Sequence, residues 1–184
     1  MSGRFVNTVS EPEALRQALA NWMASELLHL RATGNGTIRL LSPWLSPVGV
    51  FSPAIGWDAL LGALGRPPRN ILDVLFGYAR LGGRVRMLVR HGSDPVTART
   101  MNMLTQWHGR RSTRIEIRSS PREHAKVWVG ERLVFFGSSN LTEGGLGLNR
   151  ELMEVANDRP RIEQLQREAD VFLDAAEPAT LGGA

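Results

Sequence analysis

The stretch His124-Ala125-Lys126-Val127-Trp128-Val129-Gly130-Glu131 runs through Arg132 and a second apolar segment, Leu133 to Gly137, into Ser138-Ser139-Asn140, and further on the chain reaches Asn149-Arg150-Glu151. Two segments, His124 to Val129 and Leu133 to Gly137, are strand candidates, and Gly130, Glu131 and Arg132 between them suit a hairpin. Side chains alternate between the two faces of a strand, so this pattern predicts His124, Lys126 and Trp128 on one face, with alternate residues about 6–7 Å apart. Ala125, Val127 and Val129 are expected on the other face, in the core. Ser138 and Asn140 follow the same alternation at the end of the partner strand. The hairpin would then gather an imidazole, an ammonium, a hydroxyl and an amide on one surface, a set that fits a phosphoryl group. Imidazole can attack phosphorus or transfer a proton, while Lys and Asn stabilise the charge that builds on non-bridging oxygens, so no metal is needed.

The surrounding elements alternate between helix and strand. Ser10 with Glu13 forms a capping-box pattern and Pro12 fits a first turn. Leu15, Leu19, Trp22, Leu27 and Leu30 share one face of a helix ending near Arg31, before Gly34 and Gly36. Thr37 to Ser42 reads as a buried strand stopped by Pro43, in the segment Ser42-Pro43-Trp44-Leu45-Ser46. Residues 43–69, broken by prolines and glycines, read as an insertion with at most a short helix around Trp57 to Leu64. Asn70 caps a helix through about Leu81; Arg84 to Arg90 alternates as a strand; Asp94 and Pro95 open a helix through about Trp107; and Arg114 to Arg118 is a half-exposed strand. Asn149 to Val155 adds a strand, and Arg161 to about Ala175 a last helix with Ile162, Leu165, Ala169 and Phe172 on one side. This order predicts an α/β layered fold, one domain over residues 1–184, with a flexible tail over 178–184.

Composition narrows the chemistry. The chain has 184 residues, 42% of them hydrophobic, with no Cys and a formal charge of +4. Disulfides, thiolate metal sites and a Cys nucleophile are excluded. Twenty-one of the basic residues are Arg and one is Lys, Lys126, which stands two positions from His124. Arg supplies forked donors for phosphate, whereas Lys offers a compact ammonium. The first ten residues lack the basic start and apolar core of a secretory leader, and no later stretch approaches eighteen uninterrupted apolar residues; a cytoplasmic protein without a membrane span is the expectation.

His124, Lys126, Glu131, the Gly137-Ser138-Ser139-Asn140 run and Glu151 together resemble the HxKx4D signature of the phospholipase D superfamily, with its trailing GSxN and later Glu. The resemblance implies that superfamily's α/β/α sandwich with a mixed central sheet. Glu131 stands where the family usually has Asp, and its connection to Gly137 is one residue shorter than in single-motif nucleases. Family sites use two motifs, whereas His29, His91 and His108 have no Lys two residues later; the resemblance therefore implies a homodimer sharing one site on a twofold axis. It further implies that one His124 attacks phosphorus and the other protonates the leaving oxygen, and that Lys126 and Asn140 hold phosphoryl oxygens. Glu151 would orient a histidine, with Ser138 a second candidate for that task and Glu131 a supporting acid.

The leading expectation is a metal-independent endonuclease acting on DNA, in a restriction or defence setting. The alternatives are a phosphodiesterase on phospholipid headgroups and a non-catalytic nucleic-acid-binding dimer. Trp44, Trp107 and Trp128 read first as core aromatics, with Trp128 placed by parity to border the cleft and contact substrate. Arg110 and Arg111, in a basic run with Arg114, Arg118 and Arg122, read either as a solvated edge or as contacts to a phosphate backbone.

Overall fold

Apolar residues at alternate strand positions sort into two sets, and that sorting decides where the helices lie. The computed structural model describes residues 3–11, 13–49, 56–61, 68, 70–90, 95–108 and 114–179. Its elements are β1 (Arg4–Asn7), α1 (Ala14–Thr33), β2 (Thr37–Leu41), α2 (Trp57–Leu61), α3 (Ile71–Arg80), β3 (Arg84–Arg90), α4 (Pro95–His108), β4 (Ile115–Ser120), β5 (Val127–Val129), β6 (Val134–Gly137), β7 (Leu152–Ala156), α5 (Arg159–Ala175) and β8 (Glu177–Pro178), with a π-helical turn at Gly144–Leu148. The strands form one sheet in the order β1-β7-β6-β5-β2-β3-β4-β8. Strands β2, β3 and β4 are parallel and joined by helical crossovers; β5, β6, β7 and β1 continue the sheet antiparallel. Ile38, Leu40, Met87, Trp128 and Phe135 pack with α1 and α3 on one face, while Leu41, Leu88, Val129 and Val134 pack with Ile162, Ala169 and Leu173 of α5 on the other. The result is the expected α/β/α sandwich around a mixed sheet.

Several local expectations are corrected. Ser10 does not cap α1: its hydroxyl donates to the Asn7 side chain, which also accepts the Val9 and Ser10 N–H groups in an Asx turn, and Glu13 at the cap position makes no capping bond through its side chain. Pro12 lies outside the described residues. Asn70 does cap α3, accepting from the Asp73 N–H at 3.1 Å, and Asp158 caps α5. The alternation seen in Arg84–Arg90 does not separate a buried face from an exposed one, because the strand is buried throughout except at its two end residues. Arg86 is buried, bonded to Glu116, Asp170 and Asp174, so a charge at an alternating position reports an internal ion-pair network rather than a solvated face. The chain is also held further toward its end than expected, because β8 pairs with β4 and the Ala179 N–H bonds to the Ile117 carbonyl; the tail residues 180–184 lie outside the described residues. Residues 50–55, 62–67 and 69 of the expected insertion do so too.

At the β5–β6 turn, a carboxylate from the first helix does unexpected work. Glu26, on the buried face of α1, accepts N–H groups from Trp22, Glu131 and Arg132, and burial pushes its carboxyl up from the usual range. A Cβ at Gly130 would lie 2.3 Å from the Glu26 carboxyl carbon, so any larger residue there would displace this buried carboxylate. Glu131 completes the tie, accepting the Thr37 N–H of β2 at 3.1 Å and the Gln166 amide of α5 at 3.3 Å.

Candidate active site

Leu41 at the end of β2 pairs with Val127 at the start of β5, so the chain before Val127 emerges at the carboxyl ends of the three parallel strands. Open α/β sheets place ligands at that end. The strand expected from His124 begins only at Val127: His124, Ala125 and Lys126 form a loop that follows a tight turn, in which the Glu123 N–H meets the Ser120 carbonyl at 3.3 Å. Glu123 is 4% exposed and accepts the backbone N–H groups of His124 and of Ala125, the latter at 2.7 Å. Burial raises its carboxyl above the ordinary carboxylate range. This carboxylate holds the loop so that the His124 side chain is exposed, while Lys126 Nζ donates to the His124 carbonyl at 2.9 Å.

The partner segment arrives by the same hairpin. The Gly137 N–H donates to the Lys126 carbonyl at 3.3 Å, and a Cβ at Gly137 would lie 2.2 Å from the Leu152 carbonyl oxygen, so only glycine lets β6 approach β7 here. Ser138 Oγ donates to the Glu151 carboxylate and accepts the Leu152 N–H at 3.0 Å. Thr8, beyond β1, fixes the Glu151 backbone: its hydroxyl accepts the Glu151 N–H at 2.9 Å and donates to the Asn149 carbonyl. Asn140 is 9% exposed, and its Oδ1 meets no partner among the described residues. A buried amide oxygen left open in this way is costly unless water or a ligand meets it. Ser42 Oγ ties the segments together, accepting the Leu141 N–H and donating to the Trp44 carbonyl.

An open cavity of about 660 Å³ sits over this assembly. His124, Lys126, Gly137 and Ser138 contribute to its lining, together with Trp44, Val127 and Phe136. Imidazole, ammonium and hydroxyl thus meet in one concavity. Asn140 and Glu151 are not among its lining residues; Glu151 reaches it through Ser138. Glu131 lies at the opposite end of the hairpin, tied to β2 and α5. Among the described residues, no group of three or more His, Asp or Glu is placed to hold a metal ion, and no helix is long and apolar enough to cross a membrane.

Two expectations about substrate contacts change. Trp128 does not border the cleft: it is 0% exposed and packs on Phe135 with ring centroids 5.8 Å apart. Parity from His124 assumed a strand with one open face, whereas β5 is central in a sheet covered on both sides and has none. Trp44, read as a core residue, is instead 38% exposed at the cavity. Arg110, Arg111 and His91 lie outside the described residues, as does the side chain of Trp107. Of the remaining basic run, Arg118 is bonded to Glu116 and the Ala176 carbonyl, and Arg114 reaches the Gly82 carbonyl near the opposite end of the sheet. Arg122 is exposed beside the His124 loop. Glu123, Ser42 and Thr8 were not singled out by the sequence; their roles depend on contacts distant in the chain or on burial, which spacing does not encode.

A family model described as cardiolipin synthase, PLD-like domain, matches residues 59–172, more than half of the chain. Among solved structures, the chain is similar to Nuc, a phospholipase D family member from Salmonella typhimurium, at a TM-score of 0.58 and 15% identity over 97% of each chain. It is also similar to NucT from Helicobacter pylori, at a TM-score of 0.59 and 14% identity over 97% of this chain and 100% of that one. TrmBL2, an archaeal chromatin protein with a described mode of DNA binding, is similar at a TM-score of 0.52 and 12% identity, over 97% of this chain and 55% of that one. No curated protein sequence matches the chain.

Proposed function

The chain belongs to the phospholipase D-like family, and from that premise we propose that it is a metal-independent phosphodiesterase, a homodimeric nuclease hydrolysing DNA with His124 at its centre. The observation that carries this reading is the cavity at the carboxyl ends of β2–β4, into which His124, Lys126 and Ser138 converge. The likeness to Nuc and NucT supports the nuclease reading, and the formal charge of +4 suits a polyanionic substrate.

In the proposed reaction, an imidazole nitrogen of one His124 attacks phosphorus and the bond to the leaving oxygen breaks. His124 of the partner subunit gives that oxygen its proton. The partner imidazole, now neutral, takes a proton from water as the water oxygen attacks phosphorus; the phosphorus–nitrogen bond breaks and both histidines return to their starting state. Lys126 supplies positive charge to the non-bridging oxygens, and the Asn140 side-chain amide, through its N–H groups, is the second donor proposed for them. Glu151 and Ser138, already bonded to each other, form the orienting pair. A single HxK per chain supports the dimer, because one imidazole is poorly placed to be both nucleophile and leaving-group acid.

Purified protein incubated with plasmid DNA, and separately with phospholipid vesicles, each in excess chelator, tests the proposal. Nicking or linearisation of the plasmid with intact lipid is expected. Headgroup release from vesicles with intact DNA would move the assignment to phospholipids. Tight DNA binding without cleavage would favour a non-catalytic DNA-binding role, for which the likeness to TrmBL2 is the supporting observation. Strict dependence on magnesium, zinc or calcium would contradict the mechanism.

A further inference from the structure

Trp44 is the described tryptophan that the fold leaves most exposed. Trp22 and Trp128 are fully buried and Trp57 nearly so, whereas Trp44 is partly exposed and lines the cavity to which His124 and Lys126 also contribute.

The backbone around Trp44 is bonded on both sides. Its carbonyl accepts the Ser42 hydroxyl at 2.6 Å, the Ser42 N–H is bonded to Leu88 of β3, and the Arg90 N–H is bonded to the Pro43 carbonyl at 3.1 Å. On its other side Leu45 bridges Leu141, and the Ser46 N–H donates to the Leu141 carbonyl at 2.9 Å. The loop is therefore pinned both to the end of β3 and to the segment after Asn140. Phe136, the other aromatic in the cavity, is already engaged, with the Arg161 guanidinium 4.5 Å from its ring centroid. Trp44 enters no ring pairing or cation contact among the described residues.

An exposed aromatic side chain on a bonded loop, beside an imidazole and an ammonium, matches the two parts of a nucleotide: a flat base and an anionic phosphodiester. We infer that Trp44 is a base-stacking residue that selects nucleotides whose base is free to leave the helical stack, next to the phosphate presented to His124. In a duplex the bases are already stacked, so the subsite favours single-stranded or unpaired nucleic acid. The inference rests on the proposed phosphodiesterase reading and deepens it.

The test compares binding of two fluorescent probes in chelator: a short single-stranded oligothymidylate and an oligomer of equal length and charge made of abasic tetrahydrofuran units. The protein carries His124→Ala so that turnover does not consume the probe, and the comparison is repeated with Trp44→Leu and Trp44→Phe added. Phosphate contacts are common to both probes, so their affinity ratio reads stacking. Without a Trp44 substitution, the base-bearing probe is expected to bind about tenfold more tightly or better. Trp44→Leu should bring the ratio to within about twofold of unity, and Trp44→Phe should retain part of it. An equal affinity for both probes, or a ratio unchanged in Trp44→Leu, overturns the assignment. Binding to anionic phospholipid vesicles that depends on Trp44, with no base preference, overturns it in favour of a lipid surface. Loss of both probes together with a change of oligomeric mass in sedimentation overturns it in favour of a subunit contact. Plasmid hydrolysis by the His124-containing protein is read separately. Stacking without hydrolysis sinks the enzyme reading alone, and hydrolysis without a Trp44-dependent base preference sinks the stacking subsite alone.

Discussion

Replacing Glu123 by Ala removes the acceptor that shapes the His124 loop. In the parent, the carboxylate takes the N–H of Ala125 at 2.7 Å and that of His124, from a site 4% exposed. Burial raises this carboxyl above 4.5, so its ionisation opposes folding: the titration favours the folded state fully below pH 4.5 and loses that effect as the pH rises through the folded value. At neutral pH the benefit of Glu123 therefore lies in its acceptor atoms rather than in its charge. Leaving a buried donor without a partner costs about 1–3 kcal/mol, and the half-exposed loop places the Ala variant near a combined ~2–3 kcal/mol. For a chain of this size that lowers Tm by roughly 5–10 °C. Glu123→Gln keeps one acceptor and removes the costly charge, so its stability should stay within about 1 kcal/mol of the parent. A displacement of the imidazole by about 1 Å lowers kcat by roughly a hundredfold, so Glu123→Ala should lose kcat on bis(p-nitrophenyl) phosphate with little change in KM, and Glu123→Gln should recover most of it. Thermal unfolding and steady-state kinetics on the three proteins decide the matter. An Ala variant with the parent's Tm and kcat, or a Gln variant as damaged as Ala, would refute the reasoning.

The Arg86 network sets the acid limit of the fold. The Glu116 carboxyl is lowered from 4.5 to about 2, chiefly by its bond to Arg86. Its stabilising contribution is present above pH 4.5 and is lost as the pH falls toward 2. The full shift corresponds to roughly 3 kcal/mol, reduced by solvent screening to about 1–2. Urea titrations should show that loss between pH 5 and roughly pH 2–3, and Arg86→Met should flatten it while costing about 3–5 kcal/mol at neutral pH; unchanged stability at the acid end would contradict the network's role. Gly130→Ala puts a methyl 2.3 Å from the Glu26 carboxyl carbon, so a destabilisation of about 1–3 kcal/mol is expected, and a parent-like Tm would contradict the Glu26 clasp. Mixing parent with His124→Ala subunits under free exchange should reduce activity as roughly the square of the parent fraction if two chains share one site, whereas a linear fall would indicate independent sites.

Much of the architecture is legible in the sequence because alternation and punctuation act locally. The α1 stripe from Leu15 to Leu30, the Asn70 cap, the β5–β6 hairpin and the last helix need only neighbours in the chain, and all are present. The two end strands escape such reading: β1 and β8 are short and owe their conformation to pairing with β7 and β4. The site is legible in its residue types and less so in its geometry. His124, Lys126 and Ser138 meet in one cavity, but a loop held by Glu123 presents the first two, rather than strand alternation. The same misplaced parity drew Trp128 toward the cleft, while the exposed aromatic, Trp44, comes from a loop whose neighbours lie far along the chain at Leu141. Glu26 was invisible for a related reason: a carboxylate on an apolar helical face is readable only once its three N–H donors are known.

The central claim, that His124 carries metal-independent phosphodiester hydrolysis, is tested most directly by comparing turnover of the parent and His124→Ala on one phosphodiester substrate in excess EDTA. Sedimentation and thermal unfolding should verify that the variant stays folded and assembled, as expected for an exposed side chain in a loop held by Glu123. The account predicts full parental activity in EDTA and a loss of about a thousandfold or more in the variant, a barrier increase of at least ~4 kcal/mol. A variant within about tenfold of the parent, a difference of only about 1.4 kcal/mol, would contradict it.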